Sequence, residues 1–269
     1  MTPANPPGEG GDFRFGQTFT CPPPSPLRAV AFHGLLGDIV RTLDPYTEAS
    51  VEALLFTGLA QVGNIFGRSP HFDVGGTLHR CNLYVCLVGP TSSGRKGSAL
   101  RAISTITSRA DREWFRGCVN SGLSSGEGVI YAVRDPVWKL KARRDSHGDV
   151  IQEHELIDAG VADKRLLIIQ EELGSALLAI QRTGNILSPT LRLGWDDEDL
   201  GTMTKTPMRA TAPHISVIAH ITMAEMVRNF SSIEIANGLG NPRANMSRSL
   251  LDSLTHSELA GRSRSLMNA

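Results

Sequence analysis

The chain lacks the features that mark several large classes of protein. Its 269 residues include four cysteines but no Cys-x-x-Cys pair, which excludes the usual motif of a redox or zinc site and leaves reduced, buried thiols as the expectation. Its 27 lysines and arginines balance 27 aspartates and glutamates, so no overall positive charge favours the coating of nucleic acid or of an anionic membrane. Any binding to nucleic acid must therefore be local.

Long hydrophobic segments are also missing. No uninterrupted apolar run reaches the roughly 18 residues that a membrane-spanning helix needs. The first residues, MTPANPPGEGGDF, lack the basic and then apolar order of a signal peptide. We therefore expect a cytoplasmic protein with no membrane partner, and the 41% hydrophobic content is enough to fill a real core.

Composition divides the chain into four segments. Residues 1–26 are rich in proline and glycine and predict a disordered tail. Residues 27–80 predict a small helical segment packed on the core, with a buried helix at 51–66 that Asp44 and Pro45 would start. Residues 81–241 carry the core itself. The last segment, 242–269, is polar and rich in serine, which indicates an atypical tail that is truncated, frame-shifted or disordered.

Short apolar runs alternate with helical patterns through the core segment. This alternation predicts an α/β fold with a mostly parallel sheet flanked by helices. Ligands bind such sheets at the carboxyl ends of the strands. The predicted strands lie at 83–88, 117–120, 166–169 and 214–219, and the predicted helices at 98–115, 128–133, 173–181 and 222–230. Two further segments are expected on the surface, a charged excursion at 139–164 and a hairpin at 201–209.

Capping-box spacing marks two of the predicted helix starts. Ser124 with Glu127 would open the helix at 128–133, and Thr222 with Glu225 would open the last one.

The stretch LVGPTSSGRKGS, residues 87–98, comes close to the phosphate-binding loop G-x-x-x-x-G-K-[ST]. Two glycines at this spacing arise by chance in such a chain, so the context carries the argument. A buried strand runs into Gly89, small residues follow, two cations come after Gly94, and a helix begins at once. In that arrangement main-chain N–H groups and a helix N-terminus hold phosphates. The alternative is a tight turn with solvated cations.

Two alignments of the loop are possible. If Arg95 takes the lysine position, Lys96 falls where a hydroxyl should hold Mg²⁺, and a cation there would repel the metal. If Lys96 is the phosphate lysine, Ser98 supplies the hydroxyl and Gly97 gives the backbone freedom for the extra residue. We prefer the second alignment because it keeps both chemical parts. The expected nucleotide-binding set is Gly89, Thr91, Ser92, Ser93, Gly94, Arg95, Lys96, Gly97 and Ser98.

Two acids follow the predicted strand at 166–169. ATP hydrolysis needs metal-bound phosphates and a group that orients water. Glu171 and Glu172 offer both, one holding Mg²⁺ through water and the other orienting the attacking water. Adjacent residues of a strand point to opposite faces, so the two acids are not equivalent. We place the water-orienting role on Glu172 and treat Glu171 as a helper and metal ligand. The plain alternative is an acid that complements a helix dipole.

Other polar residues extend this hypothesis. His220, after the strand at 214–219, is a candidate γ-phosphate sensor or a structural histidine, whereas His214 at the start of that strand belongs to the opposite edge. Arg243 follows a glycine-rich loop and is a candidate arginine finger for a neighbouring subunit, with an exposed arginine as the alternative. The segment 195–197 with Lys205 is a weak candidate surface for single-stranded nucleic acid.

Seven segments together resemble a largely uncharacterised family of P-loop proteins from phages, plasmids and bacterial mobile elements. Members of that family occur beside or fused to primases and look like RecA-type or helicase-type ATPase domains. The most specific part of the resemblance is R-K-G-[ST] in place of the usual K-[ST]. The segments are HGLLGDIV (33–40), GNIFGR (63–68), LVGPTSSGRKGS (87–98), GLSSGEGVI (122–130), LLIIQEEL (166–173), HISVIAHIT (214–222) and NGLGN (237–241).

The resemblance implies an ATP- and Mg²⁺-dependent ATPase in DNA replication or mobilisation, with single-stranded DNA and a hexamer-like ring of copies as expected partners. The chain departs from the family after NGLGN, because Pro242 precedes Arg243 and the usual apolar strand does not follow. That departure puts the finger role of Arg243 in doubt. The alternatives to a motor are a regulatory or assembly module that binds nucleotide without turnover and, less favoured, a small-molecule kinase.

Overall fold

The structure, a computed structural model, describes residues 27–89, 95–144 and 150–229. The tails expected at 1–26 and 242–269 lie outside these residues. The helices are α1 (Gly34–Leu43), α2 (Val51–Phe66), α3 (Lys96–Ala110), α4 (Arg112–Gly117), α5 (Gly126–Ala132), α6 (Leu173–Ile180), α7 (Leu187–Trp195) and α8 (Met223–Asn229). The strands are β1 (His71–Val74), β2 (Thr77–Arg80), β3 (Tyr84–Val88), β4 (Val119–Ser121), β5 (Val137–Arg144), β6 (Val150–Asp158), β7 (Arg165–Gln170), β8 (Leu200–Gly201), β9 (Arg209–Ala210) and β10 (His214–Ile221).

A four-stranded parallel sheet forms the centre of the fold. Its strands lie in the order β3-β10-β7-β4, and Ile218 of β10 pairs with Val85 on one side and with Ile169 on the other. This confirms the predicted α/β class with a parallel sheet flanked by helices. Because the four strands are parallel, their carboxyl ends meet at one edge of the sheet.

Helices cover both faces of this sheet. The chain crosses from β3 to the far edge at β4 and then returns through β7 to β10. Right-handed crossovers place the connecting helices on opposite faces when the direction of travel reverses. Accordingly α3 and α4 join α1 and α2 on one face, whereas α5, α6 and α7 pack on the other.

The central strand β10 separates the two cores. All eight of its residues are buried. Ile218 faces the core that includes α2 and α3, while Val217 and Ala219 face the core of α6 and α7. Strand residues that alternate between two apolar layers need hydrophobic side chains on both sides, which explains the nearly continuous apolar run in the sequence.

A buried amide ties α2 to the sheet and to α4. The Asn64 amide nitrogen lies 3.1 Å from the carbonyl oxygens of Leu166 and His214, and 3.2 Å from Ser216 Oγ. The Trp114 indole N–H donates to Asn64 Oδ1 at 2.8 Å. Asn64 and Trp114 are fully buried, so water has no access to either side chain. These bonds fix where α2 lies across β7 and β10.

Several local predictions are confirmed and others need correction. Helix α2 has the predicted bounds, but its cap is Ser50, whose Oγ accepts from the Ala53 N–H at 3.1 Å, because Asp44 and Pro45 lie in a short 3₁₀ turn that follows α1. The Thr222–Glu225 capping box is present.

Two elements were placed wrongly or missed. Helix α5 is capped by Ser125 rather than Ser124 and begins two residues earlier than predicted. Helix α7 was missed, because the polar and proline-containing segment before and within it suggested a loop. Leu187 and Leu191 bury one side of α7 against the sheet, and this tertiary packing stabilises the helix.

The charged excursion at 139–164 is largely a hairpin of β5 and β6, and the hairpin expected near 201–209 is the short pair β8 and β9. None of the described helices is long and apolar enough to cross a membrane.

We expect Asn64→Leu to lower the free energy of unfolding by about 2 kcal/mol, because the buried Trp114 indole N–H loses its acceptor. Urea denaturation followed by tryptophan fluorescence measures this effect. The same change at the exposed Asn120 is the control and should cost far less. Equal losses at the two positions would contradict the role given to Asn64.

Candidate active site

The variant loop lies at the carboxyl edge of the sheet. Gly89 follows β3, and its N–H donates to the Ile221 carbonyl at the end of β10 at 3.1 Å. Helix α3 begins at Lys96, so the loop connects the edge strand to a helix of 15 residues. The expected ligand residues Thr91, Ser92, Ser93 and Gly94 lie outside the described residues. The strand-to-helix context predicted from the sequence is present on both sides of them.

The two cations after Gly94 point in different directions. Arg95 precedes α3 in a left-handed conformation, with φ of 41°, and pairs with Glu48 at 2.5 Å. Both partners of this pair are exposed, and such pairs contribute little to stability. Lys96 turns inward, and its Nζ donates to the carbonyl oxygens of Gly89 at 2.7 Å and Ile221 at 3.3 Å. Lys96 is thus the cation at the sheet edge.

Partial burial affects the acidity of this lysine. Withdrawal from water lowers the pKa of Lys96, and the nearby groups Cys86 and Glu225 partly oppose that shift by favouring the charged form. The ammonium group is held by main-chain carbonyls, and no acid of the residues that the structure describes is in direct contact with it. An anion could take the place of these carbonyls.

The first turn of α3 brings Gly97 and Ser98 to the same edge. Both are half-buried, and the Ser98 N–H donates to the Arg95 carbonyl at 2.9 Å. A Cβ at Gly97 would lie 3.8 Å from Glu171 Oε2, which places the Glu171 carboxylate against the start of the helix. The structure therefore brings Glu171 next to the first turn of α3.

Glu171 and Glu172 take different positions after β7. Leu167 and partly buried Ile169 face the core that contains α3, and Glu171 continues that alternation towards the loop. Glu172 is the N-cap residue of α6, and its carbonyl accepts from Ser175 Oγ at 2.7 Å. Both side chains are exposed. Glu171, to which the sequence analysis gives the lesser role, is thus the acid at the start of α3.

His220 lies near the carboxyl end of β10, the strand between β3 and β7. The side chain is 3% exposed, and its buried Nε2 has no hydrogen-bond partner among the residues that the structure describes. Burial, and then the positive charge of Lys96, lower the pKa of His220 to about 4. The imidazole is therefore neutral at pH 7, and its unpaired nitrogen can donate or accept one further bond.

Gln170 connects the segments at this edge of the sheet, a role that its sequence context does not predict. Its Oε1 accepts from the Leu123 N–H at 2.9 Å, and its Nε2 donates to the Glu172 carbonyl at 2.8 Å and to Ser175 Oγ at 3.1 Å. These bonds join the loop after β4 to the turn that carries the acids. In the sequence, Gln170 stands out only as a polar residue at the end of an otherwise apolar strand.

The remaining candidates lie elsewhere. Arg243 is outside the described residues. Trp195 packs edge-on against Tyr84 with ring centroids 5.2 Å apart, and Asp197 pairs with Arg68 and Arg80. Residues 195–197 thus make structural contacts near the start of β10, and Lys205 lies in the exposed turn between β8 and β9. His214 lies at the amino end of β10, as expected, where its Nε2 contacts the Gly63 carbonyl.

A magnesium ion fits the chemistry of this edge. Within the described ranges no three His, Cys, Asp or Glu side chains converge on a point that would suit a metal ion. Mg²⁺ that accompanies a nucleotide needs no such cage, because it uses one or two protein oxygens together with phosphates and water. Ser98 and Glu171 are the oxygen donors that flank Lys96 and Gly97 in space.

Comparison with known proteins adds no family assignment. No protein-family model and no curated protein matches this chain significantly.

We expect protein stability to fall as the pH decreases from about 6.5 to about 4. His220 stays neutral in the folded chain until its lowered pKa is reached, whereas the unfolded chain already binds a proton near 6.5. His220 alone should contribute about 3 kcal/mol of this loss, since one pH unit corresponds to about 1.4 kcal/mol for one proton.

Urea denaturation at a series of pH values tests this expectation. His220→Gln should flatten the dependence but not remove it, because burial also lowers the pKa of His214. His79→Gln, at an exposed position, is the control. A pH profile unchanged in His220→Gln would contradict the assignment of a neutral buried His220.

Proposed function

We propose that this chain binds ATP with Mg²⁺ at the carboxyl edge of its sheet and hydrolyses it. The observation that carries the proposal is the position of Lys96, whose ammonium group lies at the carboxyl ends of β3 and β10 at the start of α3. A helix N-terminus next to a cation is suited to phosphate. Parallel sheets of this kind bind ligands at the same edge.

Phosphate binding falls to the loop and the first turn of α3. In this proposal Lys96 exchanges its bonds to the Gly89 and Ile221 carbonyls for bonds to the β- and γ-phosphates. The main-chain N–H groups of residues 91–94 are the expected ligands of the phosphates, and Ser98 would hold Mg²⁺. When bound, the metal neutralises part of the negative charge on the phosphates.

Hydrolysis also needs a base or a group that orients water. We assign this role to Glu171, since its carboxylate lies against Gly97 at the start of α3 whereas Glu172 stands at the N-cap position of α6. As an exposed carboxylate, Glu171 can accept a hydrogen bond from a water molecule. Neutral His220, buried near the carboxyl end of β10, is the sensor of the terminal phosphate.

The biological setting of this activity rests on the family resemblance. A helicase-like ATPase in DNA replication or mobilisation would couple hydrolysis to single-stranded DNA and would act in the cytoplasm. The second candidate is a module that binds nucleotide without turnover. One observation favours it: of the two acids expected to divide metal binding and water orientation, Glu171 lies against the start of α3 whereas Glu172 stands at the N-cap position of α6.

Nucleotide binding should depend on Lys96 far more than on Arg95. We expect Lys96→Ala to weaken ATP–Mg²⁺ binding at least about tenfold, the factor that a loss of 1.4 kcal/mol produces, and Arg95→Ala to weaken it less. Isothermal titration calorimetry gives both affinities. The reverse order would restore the alignment in which Arg95 is the phosphate cation. Wild-type protein that binds no nucleotide would overturn the proposed function.

Hydrolysis should separate the two acids. We expect Glu171→Gln to lower kcat by about a hundredfold or more while ATP still binds, because losses of this size are typical for a positioned base. Glu172→Gln is the matched control and should retain most of the activity. Phosphate release, measured with and without single-stranded DNA, gives the rates.

Three outcomes of that assay are informative. Stimulation by DNA that Lys96→Ala abolishes supports the helicase-like function. Greater loss in Glu172→Gln than in Glu171→Gln returns the water-orienting role to Glu172. Tight binding of ATP with no phosphate release under either condition favours the module without turnover.

A further inference from the structure

The hairpin of β5 and β6 projects from the fold with both faces exposed. Every residue from 136 to 143 and from 152 to 157 is exposed, and neither hydrophobic core includes a residue of this hairpin. In the described part of the chain neither strand pairs with a third strand. Isolated two-stranded hairpins are marginally stable in water, and open strand edges tend to pair with another chain.

One face of the hairpin is apolar near its base. Trp138 pairs with Leu156, and Leu140 follows two residues along β5. These side chains remain between 45% and 56% exposed. Large apolar side chains clustered on an exposed ribbon mark a surface of interaction.

The other face carries charges of opposite sign on the two strands. Lys139, Lys141 and Arg143 lie along β5, and Glu153 and Glu155 lie along β6. Within the hairpin, Lys141 pairs with Glu155 at 3.1 Å and Arg143 with Glu153 at 3.7 Å. A row of positive side chains (the lysine row) therefore lies along the free edge of β5. A row of negative side chains (the glutamate row) lies along the free edge of β6.

We propose that the hairpin joins copies of this chain, with β5 of one copy pairing antiparallel with β6 of the next. Within each hairpin β5 already pairs antiparallel with β6, and the proposed contact repeats this pairing between two copies. The lysine row meets the neighbour's glutamate row on one face, and Trp138 and Leu140 meet the neighbour's Leu156 on the other. Both open edges and the apolar patch are covered by the same contact.

The proposed contact uses different surfaces on the two copies. Such head-to-tail contacts make a ring if the rotation closes and a filament if it does not. The charge complementarity of the two edges is what identifies the partner as a second copy. The inference does not depend on ATP binding, which takes place at the loop edge of the sheet.

The structure offers a way to remove the hairpin without disturbing the fold. Val137 and Asp158 pair at its base, and Asp158 binds Arg134 through both carboxylate oxygens at 2.6 and 3.0 Å. Replacing residues 138–157 by Asn-Gly, a two-residue hairpin turn, keeps this base intact.

Sedimentation velocity of the full chain and of this variant, over a range of concentrations, measures self-association. Thermal unfolding checks that the variant is folded.

We expect the full chain to associate in a concentration-dependent way and the folded variant to stay monomeric. Lys139→Glu with Lys141→Glu should also abolish association, because acidic rows would then face each other. Arg112→Glu with Arg116→Glu, the same charge change at exposed positions of α4, is the matched control and should associate like the wild type. High salt should weaken the wild-type assembly.

Other results would overturn the proposal. These are a full chain that is monomeric at all concentrations, or a folded hairpin variant that associates as well as the wild type. A monomeric full chain that binds single-stranded DNA, and loses that binding with the hairpin, would assign the hairpin to nucleic acid instead.

Discussion

The position of β10 between β3 and β7 is the constraint on which the rest of the structure depends. Its eight buried residues pair with the loop strand on one side and with the acid-bearing strand on the other. Because a strand is about 4.8 Å from each neighbour, the interposed strand holds the carboxyl ends of β3 and β7 roughly 10 Å apart. His220 occupies the gap between them.

Buried polar groups fix this arrangement at both ends of the sheet. Asn64 binds α2 to β7, β10 and Trp114 towards the amino edge, and Gln170 joins the loop after β4 to the acidic turn at the carboxyl edge. A buried amide tolerates few alternative placements, since each lost bond leaves an unpaired group out of reach of water. The side chains of the candidate site are thus positioned by groups that do no chemistry themselves.

Parts of this arrangement could be predicted from the sequence, and for identifiable reasons. Apolar runs such as 83–88 and 214–219 predicted buried strands, and the dense apolar pattern of 51–66 gave the bounds of α2. Helix α7 could not be predicted, because its stability comes from burying Leu187 and Leu191 rather than from its own polar and proline-containing sequence. The position of Glu171 against the start of α3 could not be predicted, because strand alternation shows that Glu171 and Glu172 point to opposite faces but not which face holds α3.

The sequence by itself determined the class of the fold and the chemical types at the loop, since apolar periodicity and the order of glycines and cations are local properties. Only the tertiary structure decided that Lys96 turns inward while Arg95 pairs with Glu48, that Glu171 lies beside Gly97, and that β5 and β6 form an exposed hairpin. These outcomes depend on which distant strands become neighbours. Strand order is set by the packing of two helical layers on one sheet, and a linear pattern does not record it.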